Sequence, residues 1–364
     1  MRKIFAGMAA ALLAAVLLFS CNVNAVSADS AILMDAQTGR VLYEKNADSR
    51  SLIASTTKIM TALIVCERCN VLDRMRIPRE AVGIEGSSMY LREGEVLTIQ
   101  DLLYGLMLRS GNDAAVALAI YCGGTVEGFA QLMNDKAHTL GLHDTHFENP
   151  NGLDSPGHCS TARDMAKLTA YAMKNPIFAK IVATKSVRVG ERYLTNHNKL
   201  LWRVEGADGV KTGYTKAAGR ILVSSATRND RRLVAVTMND PDDWLDHAAL
   251  LEKGFSEYTL SRIISKGECV AMVEIAGGET GHVELLAQND FFFPFSENER
   301  PSVVLPHPGF VYAPVVKGQD AGFAYVCLDG QPVGKIQVSY GTTVEQKQRK
   351  TNSSIFKLFG DWFS

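Results

Sequence analysis

Ser55-Thr-Thr-Lys58 places a hydroxyl and an amine three residues apart. On a helix that spacing brings both side chains to one face, within reach of each other. A serine hydroxyl is a poor nucleophile until a base removes its proton. A lysine can be that base where burial or a neighbouring cation lowers its pKa. Two other short motifs could serve the same chemistry. Ser110-Gly111-Asn112 offers a hydroxyl and a carboxamide in a break between two apolar helical runs, where both can point into a cleft. Lys211-Thr212-Gly213 occurs once, where average usage gives roughly 0.1 such tripeptides in a chain this long. Lysine and threonine on a strand edge can hold a substrate carboxylate, and glycine lets a ligand backbone come close.

Each motif alone has a plainer reading: a helix face, capping residues at a kink, a hairpin turn. Ser354-Ile-Phe-Lys357, Ser20-Cys-Asn22 and Ser296-Glu-Asn298 repeat the first two by chance. The elements that would position the motifs are legible from periodicity. Apolar runs at 29–36 and 40–45 around Asp35-Ala-Gln-Thr-Gly39 predict a hairpin. A helix starts near Ser55. Thr98 and Asp101 form a capping box for a helix over Ile99 to Leu108, and a second helix runs from Asp113 to Tyr121, stopped by Gly123-Gly124. Further helices fit 126–140, 162–174 and 243–258, the second ending before Asn175-Pro176. Strands fit 220–228 and 232–238 across Asn229-Asp230, with Lys211 to Gly213 on the strand before them. Between 263 and 342, short alternating runs punctuated by Gly and Pro read as a small all-β domain. The expected division is therefore 1–28 leader, 29–260 catalytic domain, 261–346 β-rich domain and 347–364 tail.

The 364 residues, 46% hydrophobic and 21% charged, exclude a disordered chain and allow about two domains. A net charge of −1 argues against a nucleic-acid partner. Arg2 and Lys3, the apolar run Met8 to Phe19 and the small residues Cys21 to Ala28 have the layout of a secretory signal. Both Val23-Asn24-Ala25 and Val26-Ser27-Ala28 suit cleavage; an uncleaved anchor and a lipoprotein acylated at Cys21 are the alternatives. The protein is expected outside the cytoplasm in each case. Six cysteines then remain, Cys66, Cys69, Cys122, Cys159, Cys269 and Cys327, and buried free thiols are preferred to disulfides. Neither Cys66-x-x-Cys69 nor His143-x-x-His146 has the further ligands of a metal site, so no metal is expected. At the other end, Ile355, Leu358, Phe359 and Trp362 share a helical face behind Lys347, Arg349 and Lys350. Such a helix suits the interface of an anionic membrane.

Order and spacing join the three motifs: the serines lie 55 residues apart and Lys211 follows Ser110 by 101. In this the chain resembles the serine penicillin-recognising proteins. In form it is similar to the low-molecular-mass D-alanyl-D-alanine carboxypeptidases. Ile32 to Gly39, Leu140 to Phe147, Asn151-Gly-Leu153 and Ser160 to Ala166 carry the likeness further, across about residues 29–258. The resemblance implies an α/β fold: a five-stranded antiparallel sheet built from the N-terminal hairpin and the strands after 206, with a helical lobe carrying Ser110 to Asn112. It implies removal of the terminal D-alanine from peptidoglycan stem pentapeptides, covalent inhibition by β-lactams, and no cofactor. Ser55 would be the nucleophile and Lys58 its base. Ser110 would relay a proton to the leaving D-alanine, and Asn112 would bond Lys58 and the substrate amide. Lys211, Thr212, Gly213 and Thr215 would line the substrate site, with Lys211 lowering the pKa of Lys58. The N–H groups of Ser55 and Tyr214 would form the oxyanion hole. A β-lactamase and a non-catalytic peptidoglycan-binding protein are the alternatives on this fold; no E-x-x-L-N loop favours the first and no degenerate motif the second. Two departures stand out. Tyr214 replaces a histidine found after the K-T-G glycine in several relatives. Met238 to His247 is acidic and lacks the arginine some relatives use on the terminal carboxylate, leaving Arg220 as a substitute. That acidic segment resembles carboxypeptidases of spore-forming Gram-positive bacteria.

Overall fold

A computed structural model describes residues 26–306 and 309–348. The expected leader up to Ala25 and the expected tail from Arg349 onward lie outside the described residues. The described residues form two compact units, divided between Ser256 and Glu257.

The first unit contains, in chain order, β1 (Ser30–Asp35), β2 (Val41–Lys45), α1 (Lys58–Arg68), β3 (Arg74–Arg76), β4 (Val96–Thr98), α2 (Ile99–Leu108), α3 (Asn112–Gly123), α4 (Val126–Thr139), α5 (Ala162–Ala172), α6 (Pro176–Ala183), β5 (Ser186–Val189), β6 (Arg192–Thr195), α7 (Leu200–Arg203), β7 (Ala207–Thr215), β8 (Gly219–Arg228), β9 (Arg231–Met238) and α8 (Asp243–Glu257). Five strands pair antiparallel in the order β2-β1-β9-β8-β7. Every residue of β1 is buried, and nearly all of β9. Helices cover both faces, so these strands are apolar without alternation. On one face α5 packs against β1 and β9. On the other, α8 brings Gly254 against Leu33 and Leu233 and holds buried His247 between Ser224 Oγ at 2.6 Å and Thr237 Oγ1 at 2.9 Å. Asn229 and Asp230 both take positive φ in the tight β8–β9 turn, as its two-residue length demands.

The helical lobe is built around α1. Residues 58–66 are all buried, which marks a helix surrounded by others rather than one lying on a surface; α2, α3, α4, α5 and α6 pack against it. Thr98 and Asp101 make the expected capping box at the start of α2, a cap contributing about 1 kcal/mol. The helix over 162–174 does end before Asn175-Pro176: α5 stops at Ala172, and Pro176 opens α6, where it has no hydrogen bond to lose and Asn175 Oδ1 caps Ile177 and Phe178. Two expectations need correction. Ser55 is not on the α-helix but on a 3₁₀ turn, Ala54–Thr57, with Lys58 opening α1. The cysteines are not uniformly buried: all six are free, but Cys269 is exposed and Cys69, Cys122 and Cys159 are half-buried.

The second unit is all-β among its described residues. Thr259–Ile264 pairs with Phe291–Phe295. Six strands form a second sheet in the order Pro301–Val304, Asp320–Leu328, Gln331–Tyr340, His282–Ala287, Cys269–Ala276, Phe310–Tyr312. Its interior is a row of small clusters such as Val273, Leu285, Ala324 and Val338. Four of these strands, Thr259–Ile264, Phe291–Phe295, Pro301–Val304 and Phe310–Tyr312, escaped the sequence reading; Pro294 and Pro301 lie within two of them and disguise the pattern.

Candidate active site

Three pieces of chain converge on Lys58. The 3₁₀ turn packs against β7 and places Ser55 over the sheet edge. Because side chains at i and i+3 nearly eclipse in a 3₁₀ turn, Ser55 Oγ lies 2.8 Å from Lys58 Nζ. The break between α2 and α3 contributes Ser110, buried at φ 60°, and Asn112, the first residue of α3. Asn112 Nδ2 donates to the carbonyl of Glu85, which turns Oδ1 toward Lys58 Nζ at 2.7 Å. The carbonyl of Asn151 is the third acceptor on Lys58. Asp113 braces the opposite loop, accepting from Ser88 Oγ at 2.6 Å and from the N–H of Leu91 at 3.0 Å.

β7 is the terminal strand of the sheet. It carries Lys211, Thr212, Gly213, Tyr214 and Thr215 along the cleft side of the nucleophile turn. A Cβ on Gly213 would lie 3.2–3.3 Å from Thr56, Ala54 and the carbonyl of Ile53, so glycine is what lets strand and turn come this close. Lys211 is buried and donates to the carbonyl of Thr212 at 2.7 Å. Thr215 does not face the cleft freely: its hydroxyl donates to Asp154 Oδ1 at 2.9 Å and accepts the N–H of Ala218 at 3.0 Å. Tyr214 is 67% exposed.

The cleft above, about 800 Å³, is lined by Ser55, Ser110, Thr212, Gly213, Tyr214 and Arg220, and also by Ser87, Asn196, His197, Lys199, Asp243 and Trp244. Sequence reasoning singled out the segment that holds Asp243 and Trp244 but missed Ser87, Asn196, His197 and Lys199, which lie in no recognised motif. Arg220 reaches the cleft, but its Nη2 is ion-paired with Asp243 Oδ1 at 2.6 Å. Arg109 Nη1 donates to His197 Nε2 at 3.1 Å. Burial, with the charges of Lys211 and Arg109, pushes His197 down to about 4.

Burial lowers Lys58 well below the usual lysine pKa; the charge of Lys211 lowers it further, and Asp113 opposes. Burial alone brings Lys211 down to about 7. Both lysines are in the interior, at 0% and 1% exposure, where an ammonium is costly.

The turn before the nucleophile is held in an unusual shape. Ala54 has φ 44°, uncommon for a residue with a side chain. The Thr57 hydroxyl donates to the carbonyl of Ala54 at 2.8 Å and lies 2.7 Å from His158 Nε2. His158 Nδ1 accepts the N–H of Glu148 at 3.1 Å, so the ring proton sits on Nε2 and is donated to Thr57. Gly152, φ 83°, closes against the carbonyl of Ala54. Sequence reasoning noted Asn151-Gly-Leu153 but not this function for it. Among the described residues, no three His, Cys, Asp or Glu side chains are grouped to hold a metal.

The sequence profile of the D-alanyl-D-alanine carboxypeptidase family matches residues 18–242. The chain belongs to that family. The profile of the penicillin-binding protein 5 C-terminal domain matches residues 258–346. The D-alanyl-D-alanine carboxypeptidase DacF of Bacillus subtilis is 32% identical over 92% of this chain and 90% of its own length. Penicillin binding protein 5 from Haemophilus influenzae superposes with a TM-score of 0.76 at 30% identity, over 89% of this chain and 99% of that one. The Streptomyces K15 DD-transpeptidase gives a TM-score of 0.61 at 34% identity, over 64% of this chain and 98% of that one. This carboxypeptidase is a serine hydrolase of the cell wall. It removes D-alanine from peptidoglycan stem peptides through an acyl-enzyme and binds β-lactams.

Proposed function

We propose that Ser55 is the nucleophile and that neutral Lys58 is its base. The observation that carries this is the coordination of Lys58 Nζ: two acceptors that cannot donate, Asn112 Oδ1 and the carbonyl of Asn151, and one that can, Ser55 Oγ. A neutral amine has two N–H groups and one lone pair. Once the first two acceptors take the N–H groups, the lone pair faces the Ser55 hydroxyl. The serine proton passes to Lys58 as Oγ attacks the carbonyl of the penultimate D-alanine. The N–H groups of Ser55 and Tyr214 receive the oxyanion. Ser110 relays a proton: it gives its own to the leaving D-alanine nitrogen and takes in return the one that Lys58 received. Lys211 and Thr212 hold the terminal carboxylate, with Gly213 giving the backbone room to approach. Thr215 acts through Asp154, supporting the end of β7. Water then releases the shortened peptide from Ser55.

The protein is further proposed to be exported on its N-terminal signal and to rest on the outer face of the cytoplasmic membrane through residues 347–364. The basic cluster and the aromatic helical face support this. The test of the chemistry has two parts. Digestion of the penicillin adduct should place the added mass on Ser55. A stem pentapeptide should release D-alanine; a cross-linked dimer instead would make transfer the main reaction. For the tail, removing residues 351–364 should abolish sedimentation with anionic liposomes; equal binding by both forms would exclude the tail as anchor.

A further inference from the structure

Residues 26–28 precede β1 yet belong to the folded unit. Val26 and Ala28 are buried, and Lys45 Nζ donates to their carbonyls at 2.9 and 2.6 Å. Asp29 N–H donates to the carbonyl of Met238 at 3.1 Å, continuing the pairing with β9. Ser27 sits between two carboxylates. Its N–H donates to Asp246 Oδ2 at 2.6 Å, and its hydroxyl lies 2.7 Å from Asp240 Oδ1 and 2.8 Å from Asp246 Oδ2. Asp240 is fully buried, and its Oδ2 has no hydrogen-bond partner. Burial, reinforced by the charge of Asp246, raises the Asp240 carboxyl above its ordinary range. This pocket has one acceptor to spare, Asp240 Oδ2.

Two peptide bonds suit the small-residue requirement of a signal peptidase, after Ala25 and after Ala28. They leave different molecules. A cut after Ala28 discards the buried Val26, both acceptors of Lys45 and every bond from Ser27 to the two carboxylates. A cut after Ala25 keeps all of these and creates a cation beside them. Adjacent backbone nitrogens are at most about 3.6 Å apart. The Val26 nitrogen is then within about 6 Å of Asp246 Oδ2, where an opposite charge is felt.

We infer that the exported chain is cut between Ala25 and Val26, and that the new α-ammonium group of Val26 is held by Asp240 and Asp246. Water adds across the bond: the hydroxyl goes to the Ala25 carbonyl carbon and the proton to the Val26 nitrogen, which takes up one more proton from solvent. The inference rests on the proposed export.

The full chain is expressed in a bacterium, the cells are fractionated, and the N-terminus of the exported protein is sequenced. The expected start is Val-Ser-Ala-Asp. A start at Asp29, or at an acylated Cys21, overturns the inference and leaves export standing. A chain kept in the cytoplasm with its leader overturns both. The ion pair is tested by melting three forms at neutral pH: one starting at Val26, one starting at Asp29, and one with Gly-Ser placed before Val26. The first should melt several degrees above the other two. The gap between the first and third should close when Asp240→Asn and Asp246→Asn are combined. Equal melting of all three forms overturns the role given to the terminus.

Discussion

Lys58 Nζ and Ser55 Oγ lie 2.8 Å apart at the junction where a 3₁₀ turn passes into α1. The contact is local in sequence, but its chemistry is set by Asn112 and Asn151, which arrive from elsewhere in the chain. Lys58→Arg should therefore slow acylation by penicillin by about 10³-fold, since guanidinium keeps its proton. Ser55→Ala should abolish labelling by a fluorescent penicillin without lowering the melting temperature. Near-normal acylation by Lys58→Arg would refute this base; labelling of Ser55→Ala would refute this nucleophile.

The two buried lysines predict a bell-shaped pH profile of kcat/KM. The rising limb follows deprotonation of Lys58, whose pKa burial and Lys211 depress. The falling limb follows loss of the Lys211 charge, near pH 7 in the free enzyme. The two limbs belong to a coupled pair, so the informative variant removes one titration. Lys211→Arg should keep the rising limb and lose the falling one. A profile that falls at the same pH in that variant would assign the limb to another group.

Gly152→Ala tests the shape of the nucleophile turn. The added methyl would collide with the carbonyl of Ala54, and Gly152 already has φ 83°. Acylation should drop at least about tenfold, and stability by about 1–3 kcal/mol. Urea unfolding and penicillin labelling read the two effects separately. Unchanged labelling would mean that the turn is held from elsewhere.

Two buried histidines predict weakening in acid. Burial holds His158 at about 4 and His247 at about 3, below the usual 6.5. An unfolded chain binds protons first, so stability is full above about pH 6.5 and falls as the pH drops toward 4. For His158 alone the loss between pH 7 and 5 is about 2 kcal/mol. His158→Gln should be less stable at pH 7 yet lose less on acidification. The urea midpoints at pH 7 and 5 measure this; parallel losses in parent and variant would contradict it.

Interaction between the Cys122 and Cys69 thiols lowers Cys122 to about 7 and, with burial, raises Cys69. Cys122 should thus be the first thiol alkylated by iodoacetamide at pH 7.5, ahead of exposed Cys269. Peptide mapping after brief treatment decides; prior labelling of Cys269 would refute the order.

Much of this protein is readable along its length because the signals are local. The capping box at Thr98 and Asp101 satisfies helix donors three residues apart, and the Asn229-Asp230 turn is a choice of two residues. Ser55-x-x-Lys58 brings its own partners together. The order of the three motifs then identified the family, and with it the sheet. What the sequence could not yield was set by approaches between distant segments. That Asn112 turns Oδ1 to Lys58 depends on the carbonyl of Glu85. That Arg220 is tied to Asp243, and that His197, Lys199 and Trp244 join the cleft, follows from how β8, α8 and the 196–199 loop pack. The strain at Ala54 is imposed by Thr57, His158 and Gly152. Each of these depends on which groups burial strips of water and leaves to one another, and a buried polar group can be satisfied only by whatever the fold has brought within about 3 Å.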